Sequence, residues 1–133
     1  MKKGNYTQGT NEHSGYYTFE DGSHQHGLEF SYVVDKYPNL TMIVGDDLDM
    51  NNWKNLDLNK TDIWYFDSEH SEKQLRAELA LYSPFFKKGT ILLFDDIHLN
   101  EEMERVWNEL KDKYDAYDAT NLLHYTGFGV ICV

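Results

Sequence analysis

The sequence predicts an α/β fold, a three-layer α/β/α sandwich around a mostly parallel sheet. Two observations predict it: apolar runs of strand length recur along the 133-residue chain, and segments with apolar residues at helical spacing separate them. Strands of a parallel sheet are buried on both faces, so they read as continuous apolar runs between the helices that cover them. The length predicts a single domain over residues 1–133.

The first half of the chain contains two predicted strands and one predicted helix. The run YYTFED (16–21) is aromatic and β-branched, which favours a strand, and it ends on acids. Residues 27–37 place apolar side chains at helical spacing, and Pro38 ends that segment. The run LTMIV (40–44) predicts a continuous, buried strand.

The middle of the chain repeats this alternation with a clearer pattern. The runs DIWYFD (62–67) and GTILLFDD (89–96) predict two further buried strands. Between them, residues 71–86 predict a helix that has Ser71 as its N-cap and stops at Pro84.

The last predicted elements are one helix and one strand. Residues 101–114 begin with acids and end with lysines, as the helix dipole favours. Residues 125–133 predict a closing strand, paired as a hairpin with a segment in 115–123.

Four of the predicted strands end on carboxylates. The carboxyl ends of parallel strands meet at one edge of the sheet, where ligands of α/β proteins bind. We therefore expect a binding site at this edge, although solvated loop acids are the plainer interpretation. The acids concerned are Glu20, Asp21, Asp46, Asp47, Asp67, Asp95 and Asp96.

The charge and the apolar content exclude several partners. A net charge of −11 disfavours nucleic acid, because affinity for the phosphate backbone rests on Lys and Arg. No apolar run is long enough to span a bilayer, and residues 1–17 lack the apolar region of a signal peptide. A single cysteine excludes an internal disulfide. These features predict a cytoplasmic protein without a membrane partner.

One long stretch carries a family resemblance. Residues 62–98, DIWYFDSEHSEKQLRAELALYSPFFKKGTILLFDDIH, resemble strand 4, its helix, a Pro-containing turn and strand 5 of the class I S-adenosylmethionine-dependent methyltransferases. The likeness is to the branch of small metal-dependent O-methyltransferases and cephalosporin-hydroxylase-like enzymes. Residues 16–49 resemble that family's strand 2, helix and strand 3, and HYTGFGVICV (124–133) resembles its last strand.

The resemblance implies a fold and an activity. The fold is a Rossmann-like, mostly parallel sheet with a C-terminal antiparallel strand. The activity is methyl transfer from S-adenosylmethionine to a hydroxyl group of a small molecule, assisted by Mg²⁺ or another hard divalent cation. The metal ligands that the resemblance implies are Asp67, Asp95 and Asp96. His70, three residues after Asp67, is implied as the general base that takes the proton of the acceptor hydroxyl.

The resemblance also implies a cofactor site. Glu20, with Asp21 as the alternative, is expected on the ribose hydroxyls. Asp46, with Asp47 as the alternative, is expected near the adenine amine. The string GNYTQGT (4–10) is similar to the family's cofactor-binding turn. The cofactor contacts expected on this basis are Gly4, Tyr6, Thr7, Gly9, Glu20, Asp21, Asp46, Asp47 and Asp67.

The chain departs from the family pattern before residue 16. Only residues 1–15 precede the strand expected at 16–21, so the family's first strand and helix are expected to be reduced or missing. A missing central strand leaves backbone groups without partners, which makes a homo-oligomer plausible. Two alternatives to a metal-dependent O-methyltransferase therefore stay open. One is a shortened, non-catalytic module that acts through oligomerisation or partner binding, and the other is an enzyme that uses the acidic edge for different chemistry.

Overall fold

In a computed structural model, the chain divides into two compact units, Met1–Val44 and Gly45–Val133. The single domain expected over residues 1–133 stays a prediction. The structure describes residues 5–8, 15–18, 24–26, 37, 39–41, 43 and 45–133.

The first unit contains a small antiparallel sheet. Its strands are β1 (Asn5–Gln8), β2 (Gly15–Thr18) and β3 (His24–His26), in the order β1-β2-β3. Both pairings are antiparallel. The strand predicted from residue 16 is confirmed as far as Thr18, and it belongs to this sheet.

The turn expected in GNYTQGT is wrong for Tyr6 and Thr7. Both residues lie in β1, opposite Tyr17 and Tyr16 of β2. Tyr and Thr favour extended structure, and a second Tyr-rich run lies within hairpin reach, so the segment pairs as a strand. A role of Tyr6 and Thr7 at the cofactor stays a prediction.

Several other predictions fall outside the described residues. The helix expected over 27–37 is among them, apart from Tyr37, which is not helical. So are four of the residues expected at the cofactor, namely Gly4, Gly9, Glu20 and Asp21.

The strand expected over 40–44 is wrong at the positions that the structure describes. Leu40, Thr41 and Ile43 lie outside any strand. The Leu40 amide donates a turn hydrogen bond of 2.9 Å to the Tyr37 carbonyl, and both side chains are exposed. The apolar run therefore gains no buried sheet face here, and its composition alone does not make it a strand.

The second unit is built on a four-stranded mixed sheet. Its strands are β4 (Ile63–Phe66), β5 (Ile91–Asp95), β6 (Asp115–Asp118) and β7 (Phe128–Cys132). Their order is β4-β5-β7-β6, in which β4 and β5 are parallel while β7 runs antiparallel to β5 and β6. The α/β class, the C-terminal antiparallel strand and its hairpin with the 115–123 segment are confirmed.

Two helices pack on this sheet, α1 (Glu72–Tyr82) and α2 (Glu101–Lys113), and a short helix α3 (Thr120–Leu123) precedes β7. The predicted N-cap of α1 is confirmed, because the Ser71 side chain accepts a hydrogen bond from the Gln74 amide. The helix ends earlier than predicted, at Tyr82, and a 3₁₀ turn over Ser83–Phe85 follows it.

The helix α2 begins at a side-chain cap. Asn100 Oδ1 accepts hydrogen bonds of 2.9 Å from the amides of Glu102 and Met103. Acids fill the first turn and lysines the last, so both ends complement the helix dipole, as the sequence predicted.

The core lies between the two helices and one face of the sheet. Leu92, Phe94 and Ile131 project from that face and are at most 1% exposed. The Phe94 ring stacks on Phe66 at 5.0 Å. Trp107 of α2 crosses β7 at Gly129, where an added Cβ would lie 2.6 Å from the indole ring. The helix α2 thus approaches the sheet closely at this position. In the part of the chain that the structure describes, no helix is long and apolar enough to cross a membrane.

Candidate functional site

The register of the parallel pair brings the expected acids to one edge. Phe66 of β4 lies opposite Phe94 of β5, so Asp67 and Asp95 both follow at the carboxyl ends of neighbouring strands. Asp96 comes directly after β5. The strand register thus places the three acids at the same edge of the sheet, and their expected role as metal ligands stays a prediction.

His70 lies among these carboxylates. Its Nε2 atom is 2.8 Å from Asp96 Oδ2 and 3.6 Å from Asp67 Oδ1. Ligand atoms of the three residues all lie within 4.8 Å of one another. The Asn100 side chain donates a hydrogen bond of 2.9 Å to the His70 carbonyl, which ties the loop before α1 to the start of α2.

The Nε2 atom of the His70 imidazole faces the carboxylates of Asp67 and Asp96. His70 Nε2 is buried and has no aligned hydrogen-bond partner in the described chain, although Asp96 Oδ2 is close. The distance of 2.8 Å between the two atoms makes His70 and Asp96 direct neighbours. This nitrogen faces the carboxylates directly, which is the position from which a general base or a cation ligand would act.

Asp96 is held in an unusual backbone conformation. Its φ of 55° places a non-glycine residue in the left-handed region, which Asp tolerates better than most residues. The Thr126 hydroxyl donates to Asp96 Oδ1, and the Asp96 amide donates to Asp95 Oδ1 at 3.0 Å. Such conformations are concentrated at functional sites, where the surrounding structure maintains them.

Sequence reasoning missed two residues of this cluster. His124 Nδ1 lies 3.5 Å from Asp95 Oδ1 and 3.4 Å from Asp96 Oδ1. The Tyr65 hydroxyl donates a hydrogen bond of 2.8 Å to Asp95 Oδ2. The signal for His124 was available, because a strand antiparallel to β5 must begin beside the end of β5.

In the absence of a cation, the negative charges of the clustered carboxylates repel one another. Burial raises the pKa of Asp67, and the charge of Asp95 raises it further, while His70 acts in the opposite direction. Burial and the hydrogen bond to Asp95 raise the pKa of the Tyr65 phenol well above its usual range. A divalent cation among these carboxylates would relieve their repulsion.

The residues fit a hard divalent cation. Carboxylate oxygens of Asp67, Asp95 and Asp96 are the ligand type that Mg²⁺ prefers, with waters or a substrate oxygen completing its shell. The His70 imidazole adds a nitrogen to the set, within 4.8 Å of ligand atoms of Asp67 and Asp96. Two groups of three potential ligands share Asp96, one with Asp67 and His70 and the other with Asp95 and His124.

Asp46 and Asp47 occupy a different place from this cluster. Asp46 is exposed, and its Oδ1 accepts a hydrogen bond of 2.9 Å from the Leu48 amide. The Asp47 carboxylate accepts a hydrogen bond from the Gln74 side chain at 3.1 Å, and the backbone carbonyl of Asp47 accepts one from the Tyr82 hydroxyl. Asp47 therefore ties the segment after Gly45 to α1, and the Asp46 side chain is the freer of the two.

A buried acid on α1 was not predicted. Glu78 is 1% exposed, and its Oε1 accepts hydrogen bonds from the Ser68 hydroxyl and the Gln74 amide group. Burial, and then contact with Asp47, raise its pKa to about 7. Glu78 lies three residues after Leu75, on the stripe that faces the core, so its position in the helix was a usable signal.

Glu78 shares a small cavity with the cluster. The cavity has a volume of about 10 Å³, and its lining includes Asp67, His70, Glu78 and Asp95. This is room for about one water molecule.

A comparison with protein families identifies the chain. The family model described as "Methyltransferase domain" matches residues 6–97, which is more than half of the chain. The chain belongs to the methyltransferase domain family. The resemblance to class I S-adenosylmethionine-dependent methyltransferases that was stated from residues 62–98 is therefore confirmed.

Solved structures add a likeness of fold for this methyltransferase domain. A crystal structure of a protein assigned as a caffeoyl-CoA O-methyltransferase from Staphylococcus aureus aligns with a TM-score of 0.54 at 15% identity. The alignment covers 77% of this chain and 57% of that chain, so the methyltransferase domain spans little more than half of that protein's length. A search of curated proteins gives no match.

Proposed function

We propose that this methyltransferase domain transfers a methyl group from S-adenosylmethionine to a hydroxyl group of a small molecule, with the help of a divalent cation. The observation that carries the proposal is the cluster of Asp67, His70, Asp95 and Asp96 at the carboxyl edge of β4 and β5. Ligands of α/β sheets bind at this edge. The acceptor is proposed only by its chemical class.

Three carboxylates are the proposed ligands of the cation. Asp67, Asp95 and Asp96 would hold Mg²⁺, which supplies Lewis acidity that lowers the pKa of a nearby hydroxyl group. Asp96 is nine-tenths buried and Asp95 is half-buried, so their charges are poorly screened by water and attract a cation strongly.

His70 is the proposed general base. Its Nε2 atom accepts the hydroxyl proton of the acceptor, and the carboxylates of Asp96 and Asp67 then stabilise the imidazolium. The acceptor oxygen would then receive the methyl group that S-adenosylmethionine would supply when it is bound. The hydrogen bond from the Asn100 side chain to the His70 carbonyl anchors the backbone of the loop that carries the imidazole.

The cofactor contacts are proposed on family grounds together with the position of the edge. S-adenosylmethionine supplies the activated methyl group when it is bound. Asp46 is preferred over Asp47, since the Asp47 carboxylate already accepts from Gln74. The remaining proposed contacts are Gly4, Tyr6, Thr7, Gly9, Glu20, Asp21 and Asp67.

Calorimetry tests the proposal. Folded protein titrated with S-adenosylmethionine in the presence and absence of Mg²⁺ should bind it, and Mg²⁺ titrated alone should bind to the wild type. Asp96→Asn should weaken Mg²⁺ binding at least about tenfold, while Asp112→Asn on the exposed face of α2 should leave it unchanged. An absence of heat for both ligands would refute the enzyme proposal.

A second candidate is a non-catalytic module that assembles with itself or a partner. One face of the second unit's sheet favours it, because Ile63, Tyr65 and Tyr117 are each more than half exposed. Cross-strand register places Tyr65, Leu93, Val130 and Tyr117 in one row on that face. A stable homo-oligomer in solution together with no binding of S-adenosylmethionine would favour this candidate.

A further inference from the structure

We infer that Tyr65 is a positioning residue, whose phenol group fixes the Asp95 carboxylate in the orientation that the proposed cation needs. This inference rests on the proposed function. It concerns a residue outside the ligand set, and its basis is the contact between β4 and β5.

The strand register brings the two side chains together. Tyr65 lies opposite Leu93, and Asp95 follows Leu93 by two residues, so Tyr65 and Asp95 project from the same face of the sheet. The phenol hydroxyl donates to Asp95 Oδ2 at 2.8 Å. This contact is a charge-assisted hydrogen bond, which is the stronger kind.

Both oxygens of Asp95 are thereby held. Oδ2 accepts from Tyr65, and Oδ1 accepts from the Asp96 amide at 3.0 Å. Each oxygen has a second lone pair, so two hydrogen bonds leave both atoms able to bind a cation. The carboxylate plane is fixed before any cation arrives, and this preorganisation lowers the cost of binding.

The phenol ring is itself held in place. Phe128 of β7 lies opposite Asp95 in the antiparallel pairing. The centroids of the Tyr65 and Phe128 rings are 6.2 Å apart, with a tilt of 32°. The Tyr65 ring therefore packs beside the Phe128 ring. The substitution Tyr65→Phe would keep this packing and would remove only the hydroxyl group.

The fold itself does not require this hydroxyl. Tyr65 is 53% exposed and lies on the sheet face opposite the helices α1 and α2. Tyr117 of β6 lies in the same cross-strand row and is 60% exposed. Tyr117 therefore offers a matched control, a second exposed tyrosine on the same sheet face.

The test is the Mg²⁺ affinity of the full chain, measured by calorimetry with Mg²⁺ as the only ligand. Tyr65→Phe should weaken Mg²⁺ binding about 10–100-fold, the usual effect of losing a group that orients a metal ligand. Tyr117→Phe should bind Mg²⁺ as the wild type does. Circular dichroism and the thermal midpoint of the cation-free proteins should be the same for all three, which a merely structural role of Tyr65 would not give.

A double-mutant cycle sharpens the assignment. Asp95→Asn weakens Mg²⁺ binding by itself, and adding Tyr65→Phe to it should cause no further loss, because the hydroxyl acts through that carboxylate. Independent losses that multiply would overturn the inference.

The outcomes separate the inference from the proposed function. If the wild type binds Mg²⁺ and Tyr65→Phe binds it within twofold, Tyr65 has no positioning role and the proposed function stands. If the wild type itself binds no Mg²⁺, the proposed cation site and the role of Tyr65 are both overturned.

Discussion

His70 has two conceivable roles at the residue scale, that of a proton acceptor and that of a cation ligand. Its Nε2 atom lies close to two carboxylates, and both roles use the same lone pair. The two roles differ in what a substitution changes, because a base affects turnover while a ligand affects cation affinity.

We predict that His70→Gln lowers kcat about 10²–10⁴-fold and leaves the Mg²⁺ affinity within about threefold of the wild type. The reason is that glutamine cannot take up the hydroxyl proton, while the three carboxylates still hold the cation. Stopped assays of methyl transfer and Mg²⁺ calorimetry give the two numbers. His98→Gln, at an exposed histidine that pairs with Asp118 at 2.7 Å, is the control. A large loss of Mg²⁺ affinity in His70→Gln would make His70 a ligand instead.

The sequence predicted part of this cluster and missed the rest for a definite reason. Asp67, Asp95 and Asp96 follow apolar strands, so their edge could be inferred from the order of elements along the chain. His124 and Tyr65 enter through strand register, which depends on which strands pair and how they are aligned. Register is a property of the assembled sheet, and no local pattern around Tyr65 carries it.

At the scale of elements, Glu78 joins α1 to its surroundings. It accepts from Ser68 in the loop after β4 and contacts Asp47 in the segment before the first 3₁₀ turn, Met50–Trp53. Its pKa in the folded protein is raised from 4.5 to about 7. A carboxyl with a raised pKa binds more protons when folded than when unfolded, so stability falls as the pH rises through this interval.

We predict that the free energy of unfolding decreases between about pH 5 and pH 7.5, with Glu78 contributing at most roughly 3 kcal/mol to the decrease. Glu78→Gln should remove that contribution, because its uncharged amide can donate towards Asp47 at every pH. Urea unfolding across this range measures the effect. Glu101→Gln, at an exposed acid in the first turn of α2, should retain the wild-type slope. Equal slopes for wild type and Glu78→Gln would contradict the assignment.

The contact between α2 and β7 gives a second prediction at this scale. An added Cβ at Gly129 would lie 2.6–2.7 Å from the Trp107 ring, which is 1% exposed. Gly129→Ala should therefore lower the free energy of unfolding by about 1–3 kcal/mol. Urea denaturation measures this change, with Lys88→Ala at an exposed position as the control. A variant as stable as the wild type would show that the helix can shift outward at no cost.

The elements that the sequence predicted best are those with a strong local signal. The strand at 62–67 has a continuous apolar run and was found close to its predicted bounds, and the helix after Ser71 begins at its predicted cap but ends earlier than predicted. The run at 40–44 looks equally strand-like, yet its described residues gain no partner. Local composition favours a strand, but pairing decides whether it forms.

At the scale of the whole molecule, the acidic charge is the dominant feature. The net charge is −11, and the carboxylates of the cluster are concentrated at one edge of the second unit's sheet. A cation that binds the folded protein alone stabilises it by mass action. This effect is specific to a site and differs from general screening by salt.

We predict that Mg²⁺ at 100 times its dissociation constant raises the free energy of unfolding by about 2.7 kcal/mol. NaCl of equal ionic strength should give a smaller rise, and at the same Mg²⁺ concentration Asp96→Asn should reduce the Mg²⁺ effect to about 1.4 kcal/mol or less, as a loss of affinity of tenfold or more requires. Thermal unfolding with each salt measures this. An equal effect of both salts on the wild type would show that the carboxylates are only solvated loop acids.

The overall class of the fold was predictable from the alternation of apolar runs and helical segments, whereas the small antiparallel sheet of the first unit was not. Tyr and Thr in residues 5–8 and 15–18 favour strands, but the antiparallel pairing of these two short segments with each other is not carried by either one alone. The family match over residues 6–97 includes this sheet, the β4–β5 pair and the acids that follow it.

The most direct test of the central claim is a crystal structure of the protein soaked with Mn²⁺, which substitutes for Mg²⁺ and gives an anomalous signal. We predict a single strong anomalous peak bonded to carboxylate oxygens of Asp67 and of the Asp95–Asp96 pair, beside His70. A well-ordered cluster without a peak, or a peak that lies elsewhere on the molecule, would contradict it.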